Sequence, residues 1–247
     1  MKKILLIAMM ACTALAASAQ KSLYLSTYMG TDIQKYDGQT MRVKTTRMMF
    51  NGWNTMCVPF SMTNEDLQKT FGDVRVVSLV GAQDYNDGVA LVFDDVKEIE
   101  ANKPYLIYYE GDNKVVSLNL VKQLAYATAP EVSYTTESGV VVRMAGANIQ
   151  TASEGLYGIL VKDNKDAKFS AVGGVATNGF YATRCYVELS NGTNTPLYTA
   201  FGDVTGISEL AAKENAANAD VYSINGVKTN AMHKGVIISN GKKILVK

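Results

Sequence analysis

The chain has one histidine in 247 residues, and that scarcity narrows its chemistry before any pattern is read. Nucleophilic hydrolases set a histidine beside a serine or cysteine. His233 lies in a polar connection before Lys234-Gly235, the setting of an exposed loop residue rather than a base. Cysteine is nearly as scarce. Of three, Cys12 falls in the leader described below, which leaves Cys57 and Cys185, too few and too far apart for a structural zinc site. No GxxxxGK or GxGxxG stretch cradles a phosphate, and no block of basic residues points to nucleic acid. Asp84-Tyr85-Asn86-Asp87-Gly88 has the oxygen ligands of a calcium loop but not the alternate spacing, and reads as a polar hairpin loop. The sequence therefore calls for no metal and no cofactor.

Long apolar runs are also missing, with one exception at the start. Lys2-Lys3, a largely apolar stretch over residues 4–15, and Ala17-Ser18-Ala19 follow the order of a cleavable secretory leader covering residues 1–19, with cleavage between Ala19 and Gln20. Its apolar part is about 12 residues, short of the roughly 20 that span a bilayer. Met9-Met10-Ala11 ahead of Cys12 is a poor lipidation signal. No transmembrane segment is expected once the leader is removed. The mature chain is near neutral, and at 47% hydrophobic and 19% charged it can bury a sizeable core. In an oxidising compartment, Cys57 and Cys185 make one disulfide possible. It would close a loop of roughly 128 residues, worth on the order of 4 to 5 kcal/mol. The alternative is two separately buried thiols.

What the chain does have is alternation of apolar and polar residues, broken at short intervals by turn residues, the pattern of an all-β protein. In residues 41–47, Arg42 and Lys44 share one face and Met41, Val43 and Thr45 the other. Asp37-Gly38 suggests that strands at 22–27 and 41–50 are connected neighbours. Further strands are expected at 53–60, 74–80, 89–93, 105–109, 115–120, 140–144, 156–161, 169–172, 180–189 and 197–201. One short helix follows Thr63, capped by Asp66 three residues on, with Leu67 and Phe71 on one face and Gly72 at its end. The expected architecture is an antiparallel β-sandwich body over residues 20–204, an alanine-rich linker over 205–219, and a small β-hairpin unit over 220–247. Asn225-Gly226 and Asn240-Gly241 between apolar runs are the hairpin signals of that last unit.

The terminal block resembles the C-terminal sorting region of proteins exported by the type IX secretion system of Gram-negative bacteria. The matching residues are Thr205-Gly206-Ile207, then Val221-Tyr222-Ser223-Ile224-Asn225-Gly226, then Lys234-Gly235-Val236-Ile237-Ile238, and the basic ending from Gly241 through Lys242-Lys243 to Lys247. Gly226, Gly235, Gly241 and Lys247 are its landmark positions. The tail is shorter than many sorting regions. The resemblance implies an outer-membrane translocon as partner and a cell-surface destination, or the periplasm if the tail does not sort. The body is similar to a recurrent β region of surface and secreted proteins in the same bacteria. The blocks are Trp53-Asn54-Thr55-Met56-Cys57-Val58-Pro59-Phe60, Phe71-Gly72-Asp73, and Glu100-Ala101-Asn102-Lys103-Pro104-Tyr105-Leu106-Ile107. That likeness implies a location and a fold type, and no catalytic residues.

The expected function is accordingly an exported structural or adhesion-type protein without catalytic activity, with surface glycans or other surface proteins as partners. Two alternatives stand beside it. Fourteen tyrosines, with Tyr105, Tyr108 and Tyr109 clustered on one strand, suggest glycan contact, since exposed aromatic rings stack on sugars. Alternation puts Tyr105 and Tyr109 with Ile107 on one face and Tyr108 on the other. A carboxylate glycoside hydrolase needs only two acids about 5 to 9.5 Å apart. The adjacent acids are Asp94-Asp95, Glu98 with Glu100, and Glu110 with Asp112.

Overall fold

Alternation in the sequence becomes alternation in burial. In the strand Thr40–Met49, residues 41, 43, 45, 47 and 49 point inward while Lys44, Thr46 and Met48 stay exposed. The computed structural model describes residues 21–152, 154–159, 164–172, 179–192 and 195–202, and the backbone of four short strands between 221 and 246. The leader with Ala19 and Gln20, the linker at 205–219, His233, and Gly226, Gly241 and Lys247 lie outside the described residues.

In chain order the first strands are β1 Ser22–Tyr24, β2 Thr40–Met49, β3 Gly52–Met56, β4 Val74–Tyr85, β5 Gly88–Val96, β6 Tyr105–Tyr109 and β7 Lys114–Gln123. They continue as β8 Glu131–Thr135, β9 Val141–Gly146, β10 Tyr157–Gly158, β11 Ser170–Ala171, β12 Cys185–Leu189 and β13 Leu197–Phe201. The C-terminal strands are β14 Val221–Ser223, β15 Lys228–Thr229, β16 Gly235–Ser239 and β17 Lys242–Val246. Four sheets result, ordered β1-β2-β7, β11-β10-β12-β9-β8, β13-β5-β4-β6-β3 and β15-β14-β16-β17. Among the described residues, no helix is long and apolar enough to cross a membrane.

The all-β class stands, with three layers in the body where a simple sandwich has two. The central sheet, β13-β5-β4-β6-β3, is covered on both faces. One face carries Met56, Val76, Tyr105 and Ile107 into a core shared with β2, β7 and the helix α1 Asn64–Phe71. The other carries Trp53, Leu79, Phe93 and Leu106 into a second core shared with β9, β10 and β12. The sequence signal for this is the unbroken apolar character of Val89-Ala90-Leu91-Val92-Phe93 and of β6, since strands buried on both sides lose their alternation.

Pairing is mostly antiparallel, and two pairs correct the expectation. β1 and β2 are neighbours but run parallel, Ser22 opposite Arg42 and Tyr24 opposite Lys44. The link between them passes through a 3-10 turn, Ile33–Tyr36, before Asp37-Gly38, which is far longer than a hairpin and so free to cross over. β13 likewise joins β5 in parallel, Leu197 opposite Val89 and Phe201 opposite Phe93. β8 is a further strand outside those expected from the sequence; its inward row is only Val132 and Tyr134, half-buried against the second core, too short a row to stand out. In the C-terminal sheet, β16 and β17 pair from Gly235↔Val246 to Ser239↔Lys242, the arrangement expected around a turn at Asn240-Gly241.

Helix α1 forms as its caps dictate. The Thr63 hydroxyl accepts from the Asp66 backbone N–H at 3.3 Å, and the Asp66 carboxylate accepts from the Thr63 N–H at 2.9 Å, a closed capping box. Leu67 and Phe71 are buried, and Gly72 ends the helix at φ +86°. Asp66 also pairs with Lys122 of β7, which ties the helix to its sheet. Burial pushes the Asp66 carboxyl upward, but hydrogen bonds from Lys122 and Thr63 outweigh it and hold the group below its ordinary value. A carboxyl held low when folded contributes stability that is complete above the unfolded value, about 3.9, and is lost as pH falls through the folded value. Asp66→Asn should therefore show a smaller loss of urea midpoint between pH 7 and pH 3 than the native chain, in denaturation curves at the two pH values.

Candidate functional site

Position 47 interrupts an apolar row. On the inner face of β2, Met41 and Val43 precede it and Met49 follows, all buried, yet Arg47 is itself only 4% exposed. A buried guanidinium is costly unless its donors are satisfied. One amino group donates to the Thr183 carbonyl at 2.8 Å and the Thr183 hydroxyl at 3.1 Å, and the other donates to the Thr55 carbonyl. Its Nε is buried and makes no hydrogen bond. Among the described residues no carboxylate pairs with it. Burial, and then the neighbouring Arg184, pull the Arg47 guanidinium well below its usual value.

Thr183 is held in a conformation that a β-branched residue rarely adopts, φ +66°. Such strain, on the order of 1 to 3 kcal/mol, persists only where surrounding bonds enforce it. Besides Arg47, its carbonyl accepts from the Cys57 N–H at 3.0 Å, and its own N–H donates to Ala147 at 2.8 Å. The next residue, Arg184, donates to the Met48 carbonyl at 3.1 Å, and burial lowers its guanidinium as well. Two cations are thereby gathered where β2, β3 and the approach to β12 converge.

A cleft of about 490 Å³ opens at this point. Its walls are largely apolar, with Trp53, Phe180, Ile159 and Val172, while Tyr28 and Tyr181 stand at its mouth, half exposed, with ring centroids 5.0 Å apart. Trp53 is held rigidly: its indole N–H donates to the Lys165 carbonyl at 3.1 Å, and its ring stacks on Phe201 at 4.7 Å. Asn54 and Thr55 add polar atoms, but the Asn54 amide is engaged by Phe50 and Gly52 in closing the β2–β3 turn. Among the described residues, no carboxylate lines the cleft.

Both cysteines are free and buried, and they share one neighbourhood rather than lying separately. Cys185 borders the cleft and faces Gly146 across the β9–β12 pair; a methyl group on Gly146 would stand 2.3 Å from the Cys57 sulfur. Burial pushes Cys185 up to about 12 and Cys57 well above the ordinary thiol value, and the pull of Arg47 on each does not offset it. Both are therefore thiols at neutral pH, and thiols are poor nucleophiles.

The tyrosines singled out for glycan contact are placed elsewhere. Tyr105 and Tyr109 point to one face of β6 and Tyr108 to the other, as alternation predicts, but the sheet is covered on both sides. Tyr105 is 1% exposed and Tyr109 7%, and Tyr108 packs edge-on against Trp53. This corrects the assignment of Tyr105, Tyr108 and Tyr109 to sugar stacking. The candidate acids are dispersed too: Asp95 pairs with Arg75 and Glu100 with Lys103, and neither reaches the cleft. Of the residues that form the cleft, the sequence drew attention to Trp53, Asn54, Thr55 and Cys185, but for other reasons than a binding site. Arg47 carried a signal of its own, an arginine at an inward position of a row whose other members, Met41, Val43, Thr45 and Met49, are uncharged.

Arginine 47 donates three hydrogen bonds to groups that water cannot reach. Arg47→Ala should lower unfolding free energy by about 3 kcal/mol, from stranded acceptors and lost charged hydrogen bonds, as read from urea midpoints. In the native mature chain neither Cys57 nor Cys185 should react with a thiol reagent at neutral pH, and both should react after unfolding without reductant; failure to react when unfolded would mean a disulfide. Comparisons of the chain with protein-family models, with curated proteins and with solved structures returned no match.

Proposed function

We propose that the chain is an exported cell-surface module that binds rather than catalyses, carried out by the leader at 1–19 and directed by the type IX-like tail at 220–247. The observation that supports binding is the surface around the cleft. Tyr28, Met29 and Ile149 are 52%, 65% and 60% exposed, and Met48 and Tyr181 lie beside them, also open to water. They are one patch. Gly30 bridges to Ile149, the Gln150 N–H reaches the Met29 carbonyl, and Tyr28 contacts Tyr181. A contiguous apolar patch rimmed by polar residues is the mark of an interaction site.

The same patch favours an adhesion-type contact over a sugar platform. The Tyr28 and Tyr181 rings are inclined by 39°, whereas a pyranose face is gripped by rings that present one plane. The buried, protonated thiols and the separated acids support a non-catalytic role.

Two measurements test this reading. With cells expressing the full chain, added protease should cleave it at the surface; a chain ending at residue 219 should stay protected in the periplasm, and its appearance at the surface would remove the tail from the proposal. Beads coated with the mature chain should adhere to whole cells of the source bacterium. Met29→Lys with Ile149→Lys should cut that adhesion several-fold at an unchanged unfolding midpoint, and undiminished adhesion would rule out the patch.

A further inference from the structure

We propose that the cleft takes a small amphipathic carboxylate, its carboxyl group seated on Arg184 beside Arg47 and its apolar body lying along Trp53 and Phe180. Charge is the first reason. Among the described residues, two guanidiniums border the cleft and no acid does. Arg47 is met by the Thr183 and Thr55 carbonyls and the Thr183 hydroxyl, none of them charged, and its Nε is buried without a hydrogen bond. Arg184 makes one hydrogen bond, to Met48, and among the described residues no ion pair. Buried charges in proteins are ordinarily paired, and among the described residues neither arginine has a pairing anion. A guanidinium edge with free N–H groups matches a carboxylate as a two-toothed fork.

The walls decide what kind of anion. A phosphate or other multiply charged ion would face Trp53, Phe180, Ile159 and Val172, none of which can solvate it. A single carboxylate joined to a hydrocarbon body satisfies both ends of the site. The volume, about 490 Å³, falls within the range of small-molecule pockets, roughly 300 to 1,000 Å³. Fixed walls add to the fit: the indole of Trp53 is immobilised by Lys165 and Phe201, and the arginines are held by Thr183, Thr55 and Met48. A site prepared in advance loses little entropy on binding.

Trp53 is the only tryptophan in the chain, so its fluorescence reports on this cleft alone. Titration of the full mature chain at pH 7 with octanoate, octanol and inorganic phosphate separates the possibilities. Octanoate should change the emission saturably, octanol of the same length should bind at least tenfold more weakly, and phosphate should produce no saturable change. Arg184→Gln should weaken octanoate at least tenfold and leave octanol unchanged. Equal binding of octanoate and octanol, saturable binding of phosphate, no saturable binding of octanoate, or an unaltered Arg184→Gln variant would each overturn the assignment. The comparison of octanoate with octanol uses only the native chain, so it holds even if the variant does not fold. The ligand assignment rests on reading the cleft region as a contact site. Cell adhesion is measured separately: adhesion without octanoate preference would remove the ligand and keep the surface role, and the reverse would keep the ligand alone.

Discussion

A buried arginine that has no carboxylate partner among the described residues ties the layers of the body together. Arg47 extends from β2 in the first layer, reaches the Thr55 carbonyl of β3 in the central sheet, and closes on Thr183 at the entry to β12 in the third. Apolar cores hold layers together but are indifferent to small slides. A planar guanidinium rooted in one layer with acceptors in the other two is not, because its donors have fixed directions. The left-handed backbone of Thr183 is the local cost of that lock, and the lock keeps it there. The same residue brings positive charge to the base of the cleft, so the structural tie and the candidate ligand site share one side chain.

Covering the central sheet on both faces sets much of the rest. It removes Tyr105 and Tyr109 from the surface, buries Cys57 and Cys185 together, and confines chemistry to the seam where the layers meet. Both thiols there are protonated, and Asp95 and Glu100 are paired with Arg75 and Lys103 away from the cleft, so among the described residues that seam offers mainly shape and positive charge.

Local elements were legible from the residues because their causes are local. The capping box at Thr63 and Asp66, the glycine stop at Gly72, and the bounds of β6 and β13 all follow from neighbours in sequence. The layering was legible in part, through the apolar runs of β5 and β6. The parallel pairs were not, since pairing direction depends on where a long connection returns. The cleft was hidden for the same reason: Arg47, Trp53 and Arg184 meet only after three layers assemble. Tyr28 and Tyr181 look like any other tyrosine until the fold leaves them in water.

The parallel edge strand β13 has a consequence for the order in which the chain can close. It pairs with β5, on the order of a hundred residues earlier, and delivers Phe201 onto the ring of Trp53. A chain that emerges from its amino end therefore carries Trp53 and the edge of β5 uncovered until nearly the whole body has appeared. The last strand of the body can slot beside the fifth only once most of the chain is present. Until then the central sheet has an open side, and the molecule remains closer to a threadable chain than to a finished solid.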